Sequence, residues 1–109
     1  MQPPPIQIAE PDWREVRRVL SQEVPALEVW AFGSRARHTA KPYSDLDLAL
    51  VTTAPLPLAQ LASLTHAFES SDMVIRVDVV DWSTISEAFR QVIAADKVVV
   101  QHATPPIQA

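Results

Sequence analysis

A chain of 109 residues is long enough for one domain around one hydrophobic core, and too short for two. Its 48% hydrophobic and 20% charged residues are the proportions of a globular protein, and no apolar run approaches the roughly 20 residues of a membrane span. A formal net charge of -4 weighs against a surface built to grip duplex nucleic acid, and the lack of cysteine and of a signal-peptide pattern points to the reducing cytoplasm.

Residues 1–9 are rich in proline and 103–109 carry a second Pro-Pro pair, so both ends are expected to be loose arms of a single domain. Asp12 and Glu15 are spaced as a capping box, and Trp13, Val16, Val19, Leu20 and Val24 recur at helical intervals until Pro25 ends the first helix. Residues 27–32 are short, apolar and aromatic, which suits a buried strand, and Gly33-Ser34 turns the chain into a short helical segment. Residues 45–51 form the second strand, 52–57 a proline-punctuated loop, and Leu58, Leu61, Leu64 and Phe68 the stripe of a second full helix. A third strand covers 74–80. Ser83 or Thr84, with Glu87, opens a further helix bearing Ile85, Phe89, Val92 and Ile93, and 97–101 make a short last strand. Helices alternating with strands give an α/β fold, a small sheet with helices packed against it. The ten residues between Ser34 and Asp45 are short for a helical crossover, so a mixed sheet is as compatible with the pattern as a parallel one.

The chain has one glycine, Gly33, followed at once by Ser34 and, after ten residues, by Asp45-Leu46-Asp47. Strand side chains alternate between faces, so Asp45 and Asp47 point one way while Leu46, Leu48 and Leu50 pack on the other. Two carboxylates so close repel unless a cation lies between them, and magnesium is the hard cation that also bridges nucleotide phosphates. Asp78 interrupts the apolar run Val74-Ile75-Arg76-Val77-Asp78-Val79-Val80 and is the expected third carboxylate, with a role at the attacking hydroxyl. It shares a face with Arg76 and Val80, whereas Asp81 falls on the other face or beyond the strand.

Gly33 lets backbone approach a phosphate, and Ser34 adds a hydroxyl donor. A bulky residue at Gly33 is therefore expected to weaken nucleotide binding more than it alters the fold. Arg35, Arg37 and Lys41 gather positive charge beside the residues expected to meet the triphosphate, Arg35 being counted with Gly33 and Ser34 as nucleotide-binding, although a solvated basic loop would show the same cluster. An isolated Asp-x-Asp is usually a turn into a strand; its conjunction with Gly-Ser and a later buried-strand aspartate indicates nucleotidyl transfer from ATP or another nucleoside triphosphate.

Gly33-Ser34, ten residues, then Asp45-Leu46-Asp47 resembles the signature of the DNA polymerase beta-like nucleotidyltransferase superfamily, most closely its minimal nucleotidyltransferase branch. The likeness extends to Ala31 through Arg37, Ser44 through Ala49, Val77 through Asp81 and Phe89 through Ile93, and covers roughly residues 12–101. It implies a mixed sheet, one or two magnesium ions on Asp45, Asp47 and Asp78, and Ser34 against the triphosphate. It also implies a helical HEPN-type toxin as partner, for which such a chain acts as antitoxin by adding AMP to a tyrosine. The chain departs from the pattern at His38, where many relatives have glycine, and at Tyr43, where an acidic residue is frequent. Neutralisation of the partner by binding alone, and transfer to a small molecule or an RNA end, are the alternative readings.

His38, His66 and His102 are not spaced as a metal site, and only His38 lies in the loop near the acidic residues. Trp13 and Trp30 fit core packing, while Trp82 and Tyr43, beside the expected site, are open to stacking on a base or contacting a partner.

Overall fold

The computed structural model describes residues 2–104. A four-stranded mixed sheet carries helices on both faces, in the order α1 (Glu10–Glu23), β1 (Glu28–Phe32), α2 (Ser34–Arg37), β2 (Leu46–Val51), α3 (Leu58–Glu69), β3 (Val77–Asp81), α4 (Glu87–Asp96) and β4 (Val98–Gln101). The strands lie side by side as β3-β2-β1-β4. β1 is antiparallel to both β2 and β4, and β2 is parallel to β3. A parallel pair needs a crossover connection, which α3 supplies.

Alternation along the strands divides the interior into two layers. Val29, Ala31, Leu46, Leu48 and Leu50 face α1 and α3, meeting Val16, Val19, Leu20, Leu64 and Phe68 in the larger core. Trp30, Phe32 and Ala49 face the other way and are covered by Ile93 and Phe89 of α4. Trp30 meets Trp82 edge-on at 5.0 Å between centroids, and Phe32 meets Phe89 at 5.7 Å, the geometry that sets a ring's positive edge against a negative face. Trp82 is therefore a packing residue of the second layer, with Arg90 stacked over its ring at 5.3 Å.

Element boundaries depart from the sequence-based expectation at four places. α1 begins at Glu10 with Ala9 as an N-cap that offers no side-chain bond, so the Asp12 capping box does not form. Pro11 occupies the first turn, where its missing N–H removes no intrahelical bond, and Asp12 is buried inside the helix. β3 starts at Val77 rather than 74, leaving Val74 73% exposed. α4 is capped by Ser86, whose hydroxyl accepts from Phe89 N at 3.1 Å, and residues 82–84 form a 3-10 turn. The N-terminal segment is no loose arm: Ile6 is buried in the larger core, Gln7 N donates to Arg35 O at 2.9 Å, and the Gln7 amide exchanges two hydrogen bonds with Ala40. At the other end Thr104 Oγ1 donates to Pro25 O. Met1 and residues 105–109, also expected as arms, lie outside the described residues. Among the described residues no helix is long and apolar enough to cross a membrane.

Asp81 ends β3 as a structural knot. It is 7% exposed and accepts from Thr52 Oγ1, from Leu56 N at 2.8 Å, and from Ser83 N and Oγ at 3.0 and 2.7 Å. These bonds bind residues 52–56 to the strand end, and they pull Ser83 out of the helix-capping position expected of it. Burial alone would push the carboxyl up, but the donors from Thr52, Leu56 and Ser83 outweigh it and hold it below the ordinary value. A depressed carboxyl contributes stability that is present above its unfolded value and lost as pH falls through the folded one. Asp81→Asn, which offers Leu56 N an amide donor, should cost about 1–3 kcal/mol in chemical denaturation near neutral pH. The gap between native chain and variant should close as the pH falls below about 3.9.

His38, at the end of α2, has φ 60° and ψ 38°, the left-handed conformation in which a Cβ is crowded and glycine is at ease. His38→Gly should stabilise the fold by up to about 1 kcal/mol, read as a thermal midpoint raised by several degrees.

Candidate active site

Three aspartates share one edge of the second layer's face. Phe32 pairs with Asp47 across the antiparallel ladder, and Asp47 is in register with Asp78 across the parallel one. Neighbours in register project from the same side of a sheet, so Asp47 and Asp78 stand beside each other on the side of Trp30 and Phe32. Asp45, two residues before Asp47, keeps the same parity just ahead of β2 and is exposed. α4 covers the Trp30 and Ala49 end of this face and leaves the aspartates reachable. Asp81, one residue out of phase with Val80, belongs to the knot described above.

The trio is electrostatically poised. The carboxyl of Asp47 is pushed above the ordinary value by burial, then by the negative charges of Asp78 and Asp45. Arg76 makes an exposed ion pair with Asp78 at 3.0 Å, a contact of small net energy. Among the described residues no three carboxylate or imidazole groups are drawn into a ready-made metal cage. The donor set still fits a hard divalent cation, since it is all carboxylate oxygen on one face, and Asp47 gains most from a positive charge beside it.

Gly33 is closer to this chemistry than its sequence role implies. Its φ of 78° with ψ of -157° falls in a region essentially restricted to glycine, and a Cβ on it would lie 2.6 Å from Asp47 Oδ2. The glycine turn therefore makes room for the Asp47 carboxylate. Ser34 follows as the first residue of α2, half-exposed beside it.

Arg35 requires a correction. Expected beside the triphosphate, it is 5% exposed, and its guanidinium donates to four carbonyls: Ser44 at 2.9 Å, Gln7 at 2.8 Å, Pro42 at 3.2 Å and Lys41 at 3.4 Å. It is a positioning residue for the loop, and its cation faces inward. Arg37 is also committed, to Asp96 of α4 at 2.7 Å, whereas Lys41 is exposed. Nothing in the sequence separates Arg35 from Arg37 except position; on the short helix only the former falls on the inward side.

The glycine geometry yields a double test. Gly33→Ala should cost about 1–3 kcal/mol of stability through backbone strain and the clash with Asp47, and with it nucleotidyl transfer. Adding Asp47→Ala should recover part of the stability, measured by denaturation, and none of the activity. The fold is thus more sensitive at Gly33 than the sequence alone suggested.

Residues 13–100 match the model of the nucleotidyltransferase domain family. The chain is 49% identical over 86 residues to the "Probable protein adenylyltransferase MntA" of Haemophilus influenzae, a match covering 79% of this chain and 75% of that one. Among solved structures, a toxin-antitoxin crystal structure with AMP-PNP superposes with a TM-score of 0.67 at 22% identity, covering 82% of this chain and 72% of the other. A complex of tri-AMPylated Shewanella oneidensis HEPN toxin with MNT antitoxin gives 0.60 at 19% identity, covering 84% and 70%. At such identities these structures speak for the fold, which is the mixed sheet with helices on both faces described above. With the Gly33-Ser34 turn, the row of aspartates and the family match over most of its length, the chain belongs to the nucleotidyltransferase domain family.

Proposed function

We propose that the chain, a single minimal domain of the cytoplasm, transfers AMP from ATP to a tyrosine hydroxyl of a HEPN-type toxin, and that this modification is how it acts as antitoxin. The observation that carries the chemistry is the register of Asp47 with Asp78, with Asp45 beside them and the Gly33 turn against the Asp47 carboxylate. The choice of acceptor is supported by the relative named a protein adenylyltransferase and by the toxin–antitoxin pairs that share the fold.

Asp45, Asp47 and Asp78 would hold magnesium, which when bound offsets the charge of the phosphates and of the leaving pyrophosphate. Gly33 lets the triphosphate lie against backbone, and Ser34 donates its hydroxyl to a phosphate oxygen. The acceptor oxygen forms a bond to the α-phosphorus, the bond from that phosphorus to the bridging oxygen of the β-phosphate breaks, and pyrophosphate leaves with the electron pair. The acceptor proton passes to the Asp78 carboxylate, the one at the outer end of the row. The buried Arg35 clamp keeps the phosphate side and the carboxylate side at a fixed separation while this happens.

The test is incubation of the chain with its HEPN-type partner, magnesium and ATP labelled at the α-phosphate. Label should reach a partner tyrosine. Asp45→Asn and Asp47→Asn should each lower transfer on the order of a hundredfold or more while the two proteins still co-purify. Neutralisation of the toxin that survives both substitutions would instead establish action by binding alone, and label on a small molecule or RNA end would redirect the acceptor.

A further inference from the structure

β3 is an edge of the sheet, and among the described residues no strand pairs with its outer side. Its ladder to β2 uses alternate residues: Leu46 N donates to Arg76 O at 2.9 Å, and Leu46 is in register with Val77. In a parallel ladder one residue of each in-register pair bonds to both neighbours of the other, whose own N–H and C=O point away; Leu46 bonds toward Arg76, so Val77 and, two residues on, Val79 present theirs to the open side. A groove of about 510 Å³ runs between this edge and α3, lined by apolar and polar side chains alike, among them Phe68, Met73, Val77, Val79, Glu69 and Arg76. Val74, part of the groove's lining, is 73% exposed, and it shares a neighbouring depression with Tyr43, which is 81% exposed. Exposed apolar side chains clustered beside a reactive site mark contact with a macromolecule more readily than with a small polar acceptor.

Resting on the transfer reaction proposed above, we infer that the acceptor is presented as an extended protein segment that pairs with the open edge of β3, across the Val74–Tyr43 surface. Strand addition of this kind draws affinity from main-chain bonds and specificity from alternate side chains. The residue in register with Asp78 would project onto the aspartate face, as Asp47 does from β2, bringing its hydroxyl to the carboxylate that takes its proton. Its two neighbours would project to the opposite face, into the groove beside Val77 and Val79. The occupant is thus a stretch with a hydroxyl residue between two that enter the groove, and a single register accounts for both the docking groove and the placement of the reacting oxygen.

The experiment measures labelling of the HEPN-type partner across a range of partner concentrations, alongside MgATP affinity of the chain alone. Val77→Pro removes one outward N–H and spares the β2 ladder, which an edge strand tolerates. Val74→Asp places charge on the exposed rim without touching the core. Each should raise the KM for the partner about tenfold, with kcat at saturating partner and MgATP affinity close to native. Native-level labelling by either folded variant overturns the inference. If Val77→Pro loses MgATP affinity through misfolding, the result with Val74→Asp decides alone. A native chain that binds MgATP yet labels no partner overturns the transfer reading itself, and the inference with it.

Discussion

The guanidinium of Arg35 gathers carbonyls from Gln7, Lys41, Pro42 and Ser44, and through them one buried cation fixes the span between Ser34 and Asp45. That span contains only the single turn of α2, so its path cannot come from regular backbone bonding. A charge this buried must be satisfied, and the planar five-donor fork of arginine can reach several acceptors that the point charge of lysine could not. The same contacts recruit the N-terminal segment, which explains why a proline-rich stretch with little periodicity is nonetheless bound to the domain: Ile6 adds apolar surface, and Gln7 closes the backbone bonding around the loop.

Holding the loop fixed brings groups together that would otherwise separate. Asp47 is half-buried among like charges and its ionised form is disfavoured, so the folded chain maintains repulsion that a cation can relieve. Such a site costs stability, and proteins retain costs of this kind where function requires them. Asp81 is the opposite case, three residues along the same strand from Asp78. Its burial is offset by donors from Thr52, Leu56 and Ser83, so that one aspartate of β3 secures the structure while another is left available for chemistry.

The alternation of apolar and charged residues made this division legible before any coordinates. Period-two patterning placed Asp45 and Asp47 on one face and Asp78 apart from Asp81, helical spacing located α1, α3 and the body of α4, and the Gly33-Ser34 turn announced α2. What escaped was what tertiary bonding decides. Ser83 and Thr84 look like helix caps, but Asp81 claims Ser83 and the cap passes to Ser86. Arg35 and Arg37 are alike in type and neighbourhood; burial makes one a clamp and the other a tie to α4. Gly33 was legible as a turn, but the Asp47 Oδ2 that a Cβ there would strike is placed by the antiparallel register of β1 with β2, which the sequence left open.

Among the described residues the core fills the space between the sheet and α1 and α3, α4 is occupied with Trp30, Phe32 and Ala49, and no strand pairs with the far side of β3. The nucleotide half proposed above is made from strand ends, a glycine turn and a buried arginine. The acceptor half proposed above is a strand edge, a surface that natural sheets ordinarily protect because it invites pairing. Exposing it is coherent if the acceptor protein supplies the missing strand, since the edge then becomes an interface only with a segment whose side chains fit both faces. Specificity would rest on that fit while the chemistry stays within the chain, so changes along the edge should alter which protein is modified before they alter how nucleotide is held.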